Sequence, residues 1–326
     1  DETSRTCHTF YPLQNRTNRR HTSCVVAPPR PAVNKPAGIV TYAHRNSPHG
    51  SSTVRAMAPF ILRPPRPGTP TLLKRPQPVH RLDLPTTGLL LVAKTRMAMQ
   101  DFSRQFESRI VKKTYVAVVN GAPFEGNSTR ITADEARSMG VDVEKEGDER
   151  HWWYLVEYPL IDKRTGLPRN AVTVWRSVKH VNSLRAEGGI LTLLELKPKT
   201  GRYHQLRRHL AWICGTPIVG DIAYDGATDS GLALRKRGLF LSSNKIIMEH
   251  PYYNSRRGRQ IWNDMTKGPD GVKHCHSDVE GATVTMRLNG EGKVVVSAEI
   301  GLPPKFDYLL DEEEENYFKF QSEGQS

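Results

Sequence analysis

Long apolar runs are missing from this chain. None approaches the ~20 residues that a membrane-spanning helix requires, mean hydropathy is −0.55, and no membrane association is expected. Cysteine is scarce: Cys7, Cys24, Cys214 and Cys275 are the four in 326 residues, and they form no C-x-x-C pair. That pattern excludes a small disulfide-stapled framework and points to free thiols in a reducing compartment. His274 and His276 flank Cys275, but a loop triad without a second ligand cluster is thin ground for zinc, so no metal is expected. No internal repeat is present.

Acid is in deficit. Against 34 Asp and Glu stand 47 Lys and Arg, a net charge of +13. Residues 311–315 hold five of the acids in one run, so the body of the chain is more basic still. A basic body favours a polyanionic partner, usually nucleic acid, although a cationic surface also serves solubility. With 37% hydrophobic residues the chain can bury one substantial core.

Residues 1–32 carry Arg5, Arg16, Arg19, Arg20 and Arg30 among many Ser and Thr. This fits either an organelle transit segment or a disordered basic arm, which leaves an intracellular location open between cytoplasm and organelle. Residues 45–78, rich in Pro, Ser and Arg, read as a loop with a short helix near 52–62. The apolar run 89–93 predicts a buried strand. Met99, Phe102, Phe106 and Ile110 recur at helical spacing and predict an amphipathic helix over 95–108. Strands are expected at 113–119, 152–157, 172–178, 190–196 and 239–247, and a helix at 203–213. A hairpin should pair 283–288 with 293–298 about Asn289-Gly290. Residues 121–150 read as a polar excursion, and 311–326 as a solvated, mobile acidic tail. Strands outnumber helices and follow one another without helical crossovers, so the fold class is α+β with a mainly antiparallel sheet.

Three segments concentrate chemistry. His80-Arg81-Leu82-Asp83-Leu84-Pro85-Thr86-Thr87-Gly88 puts a carboxylate in a tight loop ahead of the buried run, a usual place for a catalytic group. Read alone, Asp83 could as well cap a turn and pair with Arg81. Gly201-Arg202-Tyr203-His204-Gln205-Leu206-Arg207 crowds Arg and His at a helix start, which suits phosphate binding or an ordinary basic face. In Lys112-Lys113-Thr114-Tyr115 a tyrosine alternates with apolar residues on a strand, as a core aromatic or as a stacking surface for a base.

Together these segments resemble the RluA family of RNA pseudouridine synthases. The first is similar to its H-R-L-D-x-x-T-S/T-G motif, and the second to G-R-x-H-Q-I/L-R-x-H. The third is similar to K-x-Y-x-A-x-V-x-G. Asn34-Lys35-Pro36-Ala37-Gly38 matches the family's opening N-K-P-x-G, and Pro217-Ile218-Val219-Gly220-Asp221 with Tyr224 matches its P-I-x-G-D-x-x-Y element. Residues 239–251 resemble its final strand, ending in His250-Pro251. All stand in the family's order. The departures are Pro28-Pro29-Arg30-Pro31, where an apolar strand is usual, Thr87 for the commoner Ser, and an apparent insertion at 252–296.

The resemblance implies a pseudouridine synthase catalytic domain over 33–310 with a central mixed, mainly antiparallel sheet. It implies uridine isomerisation in rRNA or tRNA, without a cofactor, by a protein expected to be a monomer. Asp83 becomes the catalytic carboxylate, attacking C1′ or taking the C2′ proton, with Arg207 paired to it to hold its pKa down. Tyr115 stacks on the target base and assists proton removal from C5. Arg81 fills the gap left by the flipped nucleotide. His80, Lys35, Arg202, His204, Gln205, Lys112 and Lys113 are expected to contact RNA. A catalytically silent RNA-binding factor and a hydrolase using Asp83 with His204 are the competing readings.

Overall fold

Thr95 closes the strand that carries the apolar run 89–93 and opens a helix: its side chain accepts from the Ala98 amide at 3.1 Å as an N-cap. Transitions of this kind recur in the computed structural model, which describes residues 32–43, 53–62, 64–65, 68–69, 71–123, 125–143, 152–226, 234–266, 273–275 and 281–323. The basic arm foreseen over 1–32 lies outside the described residues except for Ala32, and so does His276.

In chain order the elements begin with β1 (Ala32–Lys35), α1 (Val54–Ile61), β2 (Leu72–Pro78), β3 (Thr87–Thr95), α2 (Arg96–Glu107) and β4 (Lys112–Asn120). Next come β5 (Thr129–Ile131), α3 (Ala133–Ser138), β6 (Trp153–Glu157), the two-residue strands β7 (Leu160–Ile161) and β8 (Pro168–Arg169), and β9 (Val172–Asn182). β10 (Ile190–Pro198), α4 (Gln205–Trp212), β11 (Leu241–Glu249) and α5 (Arg256–Met265) follow. The last are β12 (Lys273–Cys275), β13 (Ala282–Leu288), β14 (Val294–Ile300) and α6 (Pro304–Glu323).

Twelve strands form one sheet in the order β12-β13-β14-β11-β4-β10-β9-β6-β5, with β3 joining β1, β2 and β11 beside that path. Every pairing in it is antiparallel except β3 with β11, where Thr87 and Gly88 meet Ser242 and Ser243 in parallel register. The fold is therefore α+β with a mixed, mainly antiparallel sheet. β3 is buried on both faces. Leu90 and Val92 join one core cluster with α4, Leu206 and Leu210, while Leu89, Leu91 and Ala93 join another with Phe102 and Trp262. At the crossing of β3 with β11 only glycine fits: a Cβ on Gly88 (φ +104°) would stand 2.2 Å from the Ser243 carbonyl oxygen.

Four expectations need correction. Part of the Pro-rich stretch expected as loop is strand β2, which pairs with β3 through Gln77 and Pro78. It tolerates Pro76 and Pro78 because its pairing is one-sided and irregular between Leu72 and Gln77. The excursion at 121–150 contains β5 and α3, the latter opened by a Thr132/Glu135 capping box. The first strand is not lost: β1 runs from Ala32, just past the prolines, and pairs with Gly88–Leu91. Finally, the acidic run is no mobile tail. It lies within α6, which buries Phe306, Leu309 and Leu310, and Glu313 (1% exposed) accepts from Ser183 Oγ at 2.5 Å and Arg185 Nε at 2.7 Å. A carboxylate buried against a guanidinium and a hydroxyl fixes the helix where composition alone predicted solvation.

Candidate active site

Asp83 sits in the turn between β2 and β3, and its neighbours are tied down on both sides. The Thr86 amide donates to the Asp83 carbonyl at 3.1 Å, closing the turn. The Thr41 hydroxyl meets both the amide and the carbonyl of Leu82 at 3.2 Å. The Gly38 amide donates to the Leu84 carbonyl at 3.0 Å. Beneath lies Lys35, 1% exposed, whose ammonium donates to the carbonyls of Pro36 (2.9 Å), Ile39 (2.9 Å) and Leu84 (3.2 Å). All three of its donors are thus spent on backbone, and burial lowers its pKa to about 8. Lys35 is a knot between the β1 turn and the Asp83 loop rather than the RNA contact expected of it.

Opposite the loop stands Arg207 on α4, 6% exposed. Its principal partner is Asp221, not Asp83. Nε and Nη2 donate to the two Asp221 carboxylate oxygens at 2.7 and 2.5 Å, a bidentate pair, while Nη1 lies 4.0 Å from Asp83 Oδ2. Burial works against the guanidinium's charge, but the bond and charge of Asp221, helped by the Asp83 charge, leave the Arg207 pKa raised. Gly220 allows the preceding turn: at φ +74° its missing Cβ would stand 2.0 Å from the Gly238 carbonyl oxygen. Asp221 is the residue that the sequence reading left without a role, although it lies inside a quoted motif.

The expected depression of the Asp83 pKa is also overturned. Burial raises it, the Asp221 charge adds to the rise, and Arg207, Arg81 and Lys35 offset this only in part. The anion is poorly solvated and neutralised only at a distance. Tyr115, 9% exposed on β4, shares the site: burial and then the Asp83 charge push its phenol well above the ordinary range, so it is a neutral hydroxyl. His204 lies with Nε2 3.7 Å from Asp83 Oδ2, Nδ1 2.9 Å from the Tyr224 hydroxyl, and its ring stacked on Tyr203 at 3.7 Å. Burial and then Arg207 lower its pKa to about 3, so it is a neutral polar wall and no counter-ion. Arg81 is exposed at the mouth.

The structure thus brings together Asp83, Tyr115, Arg207 and His204, with Arg81 at the mouth. Others in the expected RNA-contact set are spent on the scaffold. His80 Nε2 accepts from the Leu91 amide at 3.0 Å while its ring tilts against Phe106, and burial lowers its pKa to about 3. Gln205, 4% exposed, accepts from Thr200 and donates to Val172 and Thr173, locking α4 to β9. Arg202 donates to the Asn170 carbonyl at 2.9 Å and keeps part of its surface exposed. Lys112 is exposed and Lys113 half-buried where β4 begins. Polar residues in motifs look alike in sequence whether they face solvent or carry hydrogen bonds inward, and that ambiguity hid the inward bonds of Lys35, His80 and Gln205.

Comparison with known proteins closes the identification. The family model for RNA pseudouridylate synthase matches residues 32–212. tRNA pseudouridine synthase C of Yersinia pestis is 33% identical over 227 residues, covering 68% of this chain and 77% of that protein. The dual-specificity RNA pseudouridine synthase RluA of Salmonella typhi is 31% identical over 230 residues, covering 68% and 84%. Among solved structures, human RNA pseudouridylate synthase domain containing 4 aligns with a TM-score of 0.44 at 20% identity, over 67% of this chain and 80% of that one. The chain belongs to the RNA pseudouridylate synthase family, enzymes that isomerise uridine within RNA. Within that family it stands with the RluA type.

Proposed function

We propose that this enzyme isomerises specific uridines in transfer or ribosomal RNA with Asp83 as its catalytic carboxylate, acting as a monomer without a cofactor. Transfer RNA is the first substrate to try, since several relatives carry tRNA in their names. The observation that carries the reading is the setting of Asp83: a desolvated carboxylate in a doubly clamped turn, facing a buried Arg207 at 4.0 Å and a neutral Tyr115.

Isomerisation breaks the N1–C1′ bond, turns the uracil and joins C5 to C1′. One proton leaves C5 and one arrives at N1, so no electrons or groups are supplied from outside. Asp83 starts the reaction as an anion, whether it attacks C1′ or takes the C2′ proton. Poor solvation makes that anion more reactive than an exposed carboxylate. Arg207 holds a positive charge near it without quenching it, because Nε and Nη2 of the guanidinium bond Asp221 and Nη1 meets the His204 ring at 3.2 Å. Tyr115 serves as a flat neutral surface for the uracil. A phenol this reluctant to ionise is a poor base, which favours stacking over proton removal as its part. Arg81 at the mouth is free to enter the helix as the nucleotide flips, a step that costs a few kcal/mol and less in an unpaired loop.

The test is to incubate wild type and Asp83→Ala with unmodified total RNA and to map pseudouridine by adduct sequencing. Defined sites with wild type and none with the variant support the reading. RNA binding by both proteins without product from either sinks it in favour of a silent binding factor. Release of free uracil would make the protein a hydrolase.

A further inference from the structure

Where α2 hands over to β4, four cations gather around a single acid, Asp142. Arg109 (φ +58°) and Lys112 are exposed, and Lys113 and Lys199 are half-buried. They line one cleft together with Lys197, Asp142 and the Gly140 turn after α3, and Asp142 is engaged by Lys245 at 3.6 Å. The Lys199 ammonium lies over that turn, 3.3 Å from where a Gly140 Cβ would be, and the Lys113 ammonium lies 3.9 Å from the equivalent point on Gly201, at the entry to α4. Other lysines nearby are neutralised: Lys197 by Glu195 at 2.8 Å, and Lys245 by Asp142 at 3.6 Å and Glu299 at 3.2 Å. Among the described residues no carboxylate lies within 4.0 Å of Arg109, Lys112, Lys113 or Lys199. Burial lowers the Lys199 pKa first, and the charges of Lys112 and Arg109 lower it further. Burial alone lowers that of Lys113. A concave group of like charges that repel one another is relieved by an anion.

We infer that this cleft is a phosphate-binding subsite for the RNA strand flanking the target uridine, with Arg109 and Lys199 as its principal contacts. The inference rests on the catalytic reading above, because the cleft is placed relative to Tyr115. Lys113 lies two residues before Tyr115 on β4 and so projects to the same face about 7 Å away. A strand whose uridine occupies the site would bring its backbone over the cleft within a nucleotide or two. Phosphodiester is the anion of choice because it is singly charged, repeats along the strand and matches both a lysine point charge and an arginine fork. Contacts of this kind position the strand and carry no sequence information.

The test is binding of a fluorescein-labelled RNA stem–loop by anisotropy across a KCl series. The Asp83→Ala protein is used so that nothing turns over. Adding Arg109→Gln and Lys199→Gln should flatten the log–log salt slope by about 1 per cation removed. With a slope of ~0.7–0.9 per phosphate, extrapolation from ~1 M to ~0.1 M salt gives a loss of roughly 5- to 8-fold per contact, or roughly 25- to 60-fold for the pair. The charge-keeping pair Arg109→Lys and Lys199→Arg should retain the parental slope. A control pair of equal charge loss, Lys236→Gln with Lys319→Gln beside or on α6, should change it far less. The inference falls if the Arg109/Lys199 pair binds like the parent or no worse than the control. A wild type that makes no pseudouridine would instead defeat the catalytic reading, whatever the slopes.

Discussion

Replacing Asp221 by Asn keeps the shape of the site and removes one charge. In the native protein Arg207 is 6% and Asp221 1% exposed, joined by two bonds of 2.7 and 2.5 Å. Breaking a buried pair by neutralising one partner costs about 3–5 kcal/mol. Here Asp83 waits 4.0 Å from Nη1, and two unit charges at that distance attract by about 4 kcal/mol at an effective dielectric near 20. Arg207 therefore turns towards Asp83 and recovers part of the loss, leaving a cost near the lower bound, about 3 kcal/mol. For a domain of this size that is a fall in Tm of roughly 5–10 °C. The same movement changes the chemistry. A direct partner for Asp83 and the loss of the Asp221 charge both lower the Asp83 pKa. The acid limb of the single-turnover pH profile should shift to lower pH. The plateau should fall by about tenfold to a hundredfold, as expected for a group displaced by ~1 Å. Thermal melts and rates of tritium release from RNA labelled at uridine C5 read both effects. A variant that melts with wild type and keeps its acid limb would refute the claim that Asp221 holds Arg207 off the carboxylate.

Three further outcomes follow from the same structure. Burial holds the Asp83 carboxyl above its ordinary value, so the folded protein binds that proton more tightly than the unfolded chain. Its favourable contribution is present below about pH 4 and is lost as pH rises through the raised value; Asp83→Asn should therefore raise Tm at neutral pH, with the gain shrinking as melts are repeated towards pH 4. Gly88→Ala should destabilise by at least about 3 kcal/mol in urea titration, since its Cβ meets the Ser243 backbone at 2.2 Å and φ is +104°. Glu313→Gln should cost about 2 kcal/mol through its bonds to Ser183 and Arg185, while turnover below the transition stays at the wild-type rate because α6 lies outside the site.

Periodic and uninterrupted apolar patterns made much of the fold legible. Met99, Phe102 and Phe106 located α2 to within a residue, the run after Gly88 located β3, and Asn289-Gly290 located the β13–β14 hairpin. What pattern could not reach was polar residues turned inward. Glu313 in an acidic run, Lys35 in a basic motif and Gln205 at a helix start all carry buried hydrogen bonds that only the tertiary partners specify. The same blindness hid Asp221: the motif that contains it was visible, but nothing in the chain says that Arg207, 14 residues earlier, spends its two best donors there. The Asp83 pKa follows the same rule, because its direction depends on burial against distance to Arg207, and neither is written in the local sequence.

Tritium release from RNA labelled at uridine C5 reads out whether the Asp83 anion drives uridine isomerisation. Wild type should release label to water in step with pseudouridine formation, and Asp83→Asn, folded and RNA-binding, should release none above background. Release by Asp83→Asn at the wild-type rate would mean that isomerisation does not depend on the Asp83 anion.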